Sequence, residues 1–251
     1  MHILLLGGTA EARALAARLH PDVEVISSLA GRVPDPALPV GEVRIGGFGG
    51  VDGLIGWLGQ HRVDAVVDAT HPFAAGISAN AAAACATLEL PLLRLARPAW
   101  DPAGAITVGS NAEAAAVVDK NGYRRVFLTT GRSGTQAFAG SPAWFLIRAV
   151  TPPEPDTLPE RNEVLLSRGP YTYDGERALL REHRIDALVT KNSGGSMTRA
   201  KIDAATDMGI DIVMIARPSA PDVPSVGTVD DAVAWVRSEE HTSELQSRLQ
   251  I

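Results

Sequence analysis

The chain has 251 residues, enough for one large α/β domain or two small ones that fold without staples. A formal net charge of −6 argues against a general nucleic-acid binder, and the single cysteine, Cys85, excludes an internal disulfide and fits a reducing compartment. No apolar run is long enough to cross a bilayer, and residues 1–20 lack the layout of a signal peptide, so the sequence reads as soluble and cytoplasmic, without a membrane or nucleic-acid partner.

His2-Ile3-Leu4-Leu5-Leu6 is a short apolar run, followed by Gly7-Gly8-Thr9 and then by Ala12, Leu15, Ala16 and Leu19 at helical spacing. A buried strand, a glycine turn and a helix open a nucleotide-binding βαβ unit. Glycines let the backbone approach a pyrophosphate, and the free N–H groups of a helix start favour an anion. Gly7, Gly8, Thr9, Ala10 and Glu11 are therefore candidate cofactor residues. The glycines do not follow G-x-G-x-x-G: two are adjacent, and Ala12 takes the packing place of the third. Any α/β protein with a tight βα turn would look the same here, so the rest of the chain must decide.

Val23 to Ser28 reads as the second strand. An NAD-binding unit usually ends this strand in an acid that holds the ribose 2′-hydroxyl. Ser27 and Ser28 stand there instead, with Gly31-Arg32 just beyond. No acid would repel a 2′-phosphate, and Ser28 and Arg32 are candidates to bind one, which favours NADP over NAD. A solvated loop arginine is the plain alternative for Arg32. After the short strand Val43 to Ile45 come four glycines in five residues, Gly46-Gly47-Phe48-Gly49-Gly50. A ligand loop at a strand's carboxyl end explains so costly a composition, and Gly47, Phe48 and Gly49 join the cofactor candidates. Val51 to His61 is expected as a helix. The strand Asp64 to Asp68 leads into Ala69-Thr70-His71-Pro72, with a helix expected from Pro72 to about Leu88. Thr70 and His71 then sit where open α/β sheets bind ligands. No second His or Cys has ligand spacing, so no metal site is expected. Pro91 to Leu95 is the fifth strand, followed by Arg97.

The second half repeats the first. Val126 to Gly131 matches Ile3 to Gly8, Arg184 to Val189 matches Arg62 to Val67, Ile215-Ala216-Arg217-Pro218 matches Leu95-Ala96-Arg97-Pro98, and Val226-Gly227-Thr228 matches Val108-Gly109-Ser110. The pairs lie in order at nearly constant offset, which predicts two similar lobes, an internal duplication, with parallel sheets and a ligand cleft between them. The halves differ at the strand ends. The second carries Lys191-Asn192-Ser193-Gly194-Gly195, Thr129-Thr130-Gly131-Arg132 and Arg168-Gly169-Pro170-Tyr171. Lys191, Arg132 and Arg168 are cations suited to an anionic substrate, although each would also be ordinary on a surface. Pro152 to Pro159 is a loop within this half, and residues 238–251 change composition and are expected to be disordered or foreign to the fold.

Together these segments resemble the precorrin-6A reductase family of the corrin (vitamin B12) pathway from Met1 to about Arg237. The resemblance rests on Gly7 to Arg13, Asp68-Ala69-Thr70-His71-Pro72-Phe73-Ala74, Arg94, Arg97-Pro98-Ala99-Trp100, Gly169-Pro170, Lys191 to Gly195 with Lys201, and Ile215 to Pro218. Arg132-Ser133 departs from the small residue and lysine expected at that place. The resemblance implies α/β architecture with two Rossmann-like lobes, 1–103 binding NADPH and 104–237 contributing substrate binding. It further implies reduction of one double bond of the precorrin-6A macrocycle to give precorrin-6B, and transient contact with neighbouring pathway enzymes. The macrocycle carries many carboxylates, so the expected substrate residues are Arg97, Thr130, Gly131, Arg132, Arg168, Tyr171, Lys191, Ser193, Gly194 and Gly195. Lys191 is the expected catalytic group, stabilising charge that develops on the ring system. Three other readings remain open. One is the cobalt-containing substrate of the anaerobic route, with NADH as a cofactor against which Arg32 weighs. The others are a short-chain dehydrogenase, whose Tyr-x-x-x-Lys pair does not occur, and a non-catalytic dinucleotide sensor.

Overall fold

The computed structural model of the chain describes residues 1–31 and 37–248, with residues 240–248 described by backbone alone. The chain forms two compact units, one of Met1–Pro98 with Pro218–Ile251 and one of Ala99–Arg217.

In the first unit the chain runs through β1 (His2–Leu6), α1 (Ala10–Leu19), β2 (Glu24–Leu29), β3 (Glu42–Ile45), α2 (Gly50–Gln60), β4 (Ala65–Asp68), α3 (Ala75–Leu88) and β5 (Leu92–Leu95). The unbroken apolar run of β1 has a simple cause. Ile3 and Leu5 face a core that contains Leu15, Ala16 and Leu19 of α1, while Leu4 and Leu6 face another that contains Leu54 and Leu58 of α2 and Ala81, Ala84 and Cys85 of α3. Alternate side chains of a strand point to opposite faces, so a central parallel strand covered on both must be apolar throughout. Burial pushes the Cys85 thiol up to about 11, as expected of an inert core cysteine.

The second unit contains β6 (Ile106–Val108), α4 (Asn111–Asn121), β7 (Arg125–Leu128), a 3-10 helix at Arg132–Phe138, β8 (Trp144–Ala149), β9 (Asn162–Leu166), α5 (Tyr173–Glu182), β10 (Ala187–Lys191), α6 (Ala200–Asp207) and β11 (Asp211–Ile215). The chain then returns to the first unit with β12 (Ser225–Val226) and α7 (Val229–Arg248).

Both sheets are parallel, with six strands each, in the orders β12-β5-β4-β1-β2-β3 and β6-β11-β10-β7-β8-β9. These are one topology, the order 3-2-1-4-5-6 of a dinucleotide-binding fold. The difference lies in the sixth strand. In the first unit it comes last in the chain, as β12, and in the second it comes first, as β6. Each is followed by a helix that packs in the same unit: Ala232, Val233 and Val236 of α7 join the core beneath α1.

This connectivity corrects the expected boundaries. Residues 218–237 belong with the first unit, because β12 hydrogen-bonds beside β5 with Ser225 opposite Arg94 and Val226 opposite Leu95. The crossing after the fifth strand falls at Pro98, earlier than residue 103. The last helix also runs past Arg237: its backbone is helical to Arg248, where the composition predicts disorder from residue 238, and residues 249–251 lie outside the described residues. No helix among the described residues is long and apolar enough to cross a membrane.

Candidate active site

Strand order reverses between β1 and β4 in the first unit and between β7 and β10 in the second. Loops at the carboxyl ends of such neighbouring strands part to leave a crevice, where open α/β sheets bind ligands. The sequence candidates Gly7 to Glu11 and Thr70-His71 flank the first switch point. Thr130 to Arg132 and Lys191 to Gly195 flank the second.

At the first, Thr9 joins the two loops. Its Oγ1 accepts the Ala12 N–H at 3.1 Å, capping α1, and donates to the Ala69 carbonyl at 2.7 Å. Gly8 has φ +105°, a conformation that a side chain would strain. Gly7 packs against the second strand: its N–H donates to the Ser28 carbonyl at 2.9 Å, and a Cβ there would lie 3.5 Å from the Ala12 Cβ. Ala12 thus fills the close-packing place expected of it. Gly7, Gly8, Ala12, Arg13, Ser27 and Leu29 line a shallow pocket, and the buried Ser27 hydroxyl has no hydrogen-bond partner among the described residues.

The other candidates of this unit are more committed. The buried Asp68 carboxylate accepts both the Thr70 N–H, at 3.1 Å, and the Thr70 hydroxyl, at 2.6 Å. His71 does not start a helix. Its Nδ1 accepts the Phe73 N–H at 3.2 Å and its carbonyl accepts the Ala74 N–H, a tight turn that delays α3 to Ala75. Arg97 pairs with Glu11 at 2.8 Å, in a second shallow pocket that also includes Thr9 and Thr70. An expected substrate residue and an expected cofactor residue are therefore partners at the first switch point.

Arg32 lies outside the described residues, and the structure brings forward a different arginine. Arg44 of β3 stands opposite Ser28 of β2. Its guanidinium donates to the Gly46 and Gly47 carbonyls, both at 2.6 Å, and to the Ser28 hydroxyl at 3.2 Å, and it stacks 3.7 Å from the centre of the Phe48 ring. Gly47, Phe48 and Gly49 so form a loop gathered around one cation. Gly53 allows it: a Cβ at that position of α2 would lie 1.7 Å from the Phe48 carbonyl oxygen. Partial burial pushes the Arg44 guanidinium below its ordinary value. Arginine in a strand is an unremarkable feature of a sequence, and only strand pairing reveals where it points.

At the second switch point, Lys191 is the last residue of β10, half-buried, with its ammonium pushed below the ordinary lysine value by desolvation. The loop after it is held from beneath. The Asn192 side chain accepts the Trp100 N–H at 2.8 Å and donates to the Trp100 carbonyl at 2.9 Å. The Trp100 indole N–H donates to the Gly195 carbonyl at 2.8 Å, and Arg217 donates to the Asn192 and Ser193 carbonyls at 3.0 and 3.2 Å. Trp100, Asn192 and Arg217 lie in the motifs that carried the family resemblance, yet composition and spacing alone give them no role. Thr130 is buried and its hydroxyl has no partner among the described residues, while Arg132 begins the 3-10 helix that comes after Gly131. Arg168 lies beyond the end of β9. Tyr171 is engaged in its own turn: its hydroxyl donates to the Ser167 carbonyl at 3.0 Å and its ring stacks on Arg148 at 4.0 Å.

Residues 2–237 match the family model described as precorrin-6x reductase CbiJ/CobK. The chain belongs to that family. It is 66% identical to a precorrin-6A reductase of Mycobacterium tuberculosis over 93% of this chain and 96% of that one. It is 55% identical to a precorrin-6A reductase of Rhodococcus erythropolis, with the same shares covered. A cobalt-precorrin-6A reductase of Priestia megaterium is 33% identical over 86% of this chain and 90% of that one. Among solved structures, one titled CobK precorrin-6A reductase superposes with a TM-score of 0.88 at 38% identity, covering 95% of this chain and 97% of that chain. Membership makes the protein a reductase, and reductases of this kind draw on a reduced nicotinamide cofactor.

Proposed function

We propose that the protein reduces one double bond of precorrin-6A to give precorrin-6B, with NADPH bound by the first unit. The observation that carries the cofactor half is the first switch point. Its glycine turn leads directly into α1, whose capped N-terminus offers N–H groups to a pyrophosphate, and Gly8 leaves the approach open. The residues present fit a dinucleotide at the glycine turn: a Cβ at Gly8 would meet nothing within 4 Å, and beside it the buried Ser27 hydroxyl has no hydrogen-bond partner among the described residues. The described residues that end β2, Ser27, Ser28 and Leu29, include no acid to repel a 2′-phosphate. Ser28 and Arg44 supply a hydroxyl and a cation there. These features support NADPH in preference to NADH.

When bound, the nicotinamide supplies a hydride. The chain's own residues bind and orient. Gly7 to Glu11, with Gly47 to Gly49, Thr70 and His71, hold the dinucleotide. The loops that carry Thr130 to Arg132, Arg168 and Lys191 to Gly195 receive the acidic macrocycle, whose carboxylates pair with the cations. Lys191 stabilises the charge that builds on the ring system as the hydride arrives, because a partly desolvated ammonium acts more strongly than one in water. Identity supports the metal-free substrate, since the relatives at 66% and 55% are named for precorrin-6A and the cobalt-precorrin-6A reductase stands at 33%. Cytoplasmic action and transient hand-over between neighbouring enzymes fit a biosynthetic intermediate.

The test is loss of nicotinamide absorbance when purified protein meets precorrin-6A, with NADPH and NADH in parallel. Rapid oxidation of NADPH with NADH poor is the expected result. Oxidation of neither, with NADPH still binding in titration, sinks the metal-free assignment and directs the same assay to the cobalt form.

A further inference from the structure

Beneath the loop after β10 lies a buried charged cluster that the proposed chemistry does not use. Lys201, in the first turn of α6, is 5% exposed. Its Nζ donates to the Thr198 carbonyl at 2.8 Å and sits 5.0 Å from the centre of the Trp100 ring. On β8 and α5, Arg148 and Glu176 form a buried ion pair at 2.7 Å. The Arg148 guanidinium lies between the Phe127 and Tyr171 rings, at 4.6 and 4.0 Å. The Glu176 carboxylate favours the Lys201 ammonium, and Arg148 opposes it. With Lys201 protonated, the cluster therefore holds two cations to one carboxylate, all three side chains buried.

Such an arrangement is poor for stability. Burial penalises the ammonium, and an apolar residue of similar volume would be neutral or better. Packing alone gives no reason for a lysine at this position, because an apolar side chain would lie against the Trp100 ring as well. What the ammonium does touch is the frame of one loop. It fastens the far end through Thr198 and the near end through Trp100, whose indole N–H holds Gly195 and whose backbone holds Asn192. We infer that Lys201 is a positioning residue, which acts through Trp100 to fix the Asn192–Thr198 loop in the shape that receives the anionic substrate. Stability is given up for order in that loop.

The inference rests on the assignment of this loop to the macrocycle, and one set of experiments separates the two. In Lys201→Met the KM for precorrin-6A should rise about tenfold or more, with the NADPH KM unchanged and the melting temperature at pH 7 equal or higher. Amide hydrogen exchange across Asn192–Thr198 should quicken about tenfold. Trp100→Phe keeps the ring but loses the bond to Gly195, and should raise the precorrin-6A KM about threefold even if the lysine variant fails to fold. An unchanged KM in folded Lys201→Met, or in Trp100→Phe should the former not fold, overturns the inference. So does unchanged exchange in the loop. Faster exchange together with a wild-type protein that does not turn over precorrin-6A would instead uphold the positioning role and remove the substrate assignment.

Discussion

The two units share a strand order and differ in the turn after their first central strand. In the first, β1 leads through Gly7-Gly8-Thr9 into α1, a ten-residue helix with a side-chain cap. In the second, β7 leads through Thr130-Gly131 into a seven-residue 3-10 helix without one. An anion site made of backbone N–H groups needs the dipole and the aligned donors of a true helix start, and the second unit has given that up. In its place stand side-chain cations at strand ends: Lys191 ends β10, whereas the matching β4 ends in Asp68. On the proposed assignment, one topology is specialised in two directions. Backbone donors suit a pyrophosphate of fixed shape, and long flexible cations suit the many carboxylates of a large ring.

The largest effect should come from the second unit's cation. Lys191→Ala is expected to lower kcat with precorrin-6A by about 100- to 1,000-fold, the scale at which loss of a preorganised electrostatic group is felt. The NADPH dissociation constant, measured by fluorescence titration, should stay within about twofold. An equal loss of NADPH affinity would break the division of labour between the units. Next comes the discrimination between cofactors. Arg44→Ala should raise the KM for NADPH by about 10- to 100-fold, the loss of one charge-assisted contact, and the KM for NADH by less than about threefold. Parallel loss of both would show that Arg44 shapes the Gly46–Gly49 loop without touching a 2′-phosphate.

Much of the fold is legible in the sequence, and for a physical reason. Buried parallel strands must be apolar, turns that approach a ligand must be glycine-rich, and both leave local patterns that survive without coordinates. The paired matches between the halves even set Val226-Gly227-Thr228 against Val108-Gly109-Ser110, which in the structure are the two sixth strands and the turns into their helices. What no local pattern carries is which sheet an edge strand joins. β12 is two residues long, and its membership of the first sheet is decided by pairing with β5, so boundaries at residues 103 and 237 are misplaced. Support residues are hidden for the same reason. Arg44 meets Ser28 across strands, and Trp100 meets Asn192 across 92 residues. Helices α5 and α6 and strand β8 also escape a reading by motif, although the Thr172 cap on α5 is a usable signal.

A smaller effect sharpens the comparison through stability. Thr9 makes two hydrogen bonds, one of them a cap, so Thr9→Ala should cost about 1 kcal/mol. In a chain of this size that lowers the melting temperature by about 2–4 °C. Thr130 is also buried, but its hydroxyl has no partner among the described residues. Thr130→Val, which keeps the shape and removes the unpaired oxygen, should leave the melting temperature unchanged or slightly raised. A loss equal to that of Thr9→Ala would mean that the second loop is as tightly built as the first.

The last effect concerns pH, and it belongs to the second unit. Burial brings the Lys201 ammonium down to about 7 from an ordinary 10.5, with Glu176 partly offsetting the shift. In the folded protein the lysine gives up its proton near neutrality, whereas in the unfolded chain it keeps it until the ordinary value. Between these limits the unfolded state binds more protons, so stability rises with pH across that window, and below about 7 the penalty of the buried charge is present in full. The melting temperature of the wild type should therefore climb between pH 7 and 9 relative to Lys201→Met, by about 3–5 °C per pH unit at most. Loop order runs the other way, since the neutral amine has a weaker hold on Trp100 and Thr198. The precorrin-6A KM should then rise over the range in which the protein becomes more stable. Scanning calorimetry and steady-state kinetics on the same buffers would show the two trends diverge, and parallel trends would return Lys201 to an ordinary structural role.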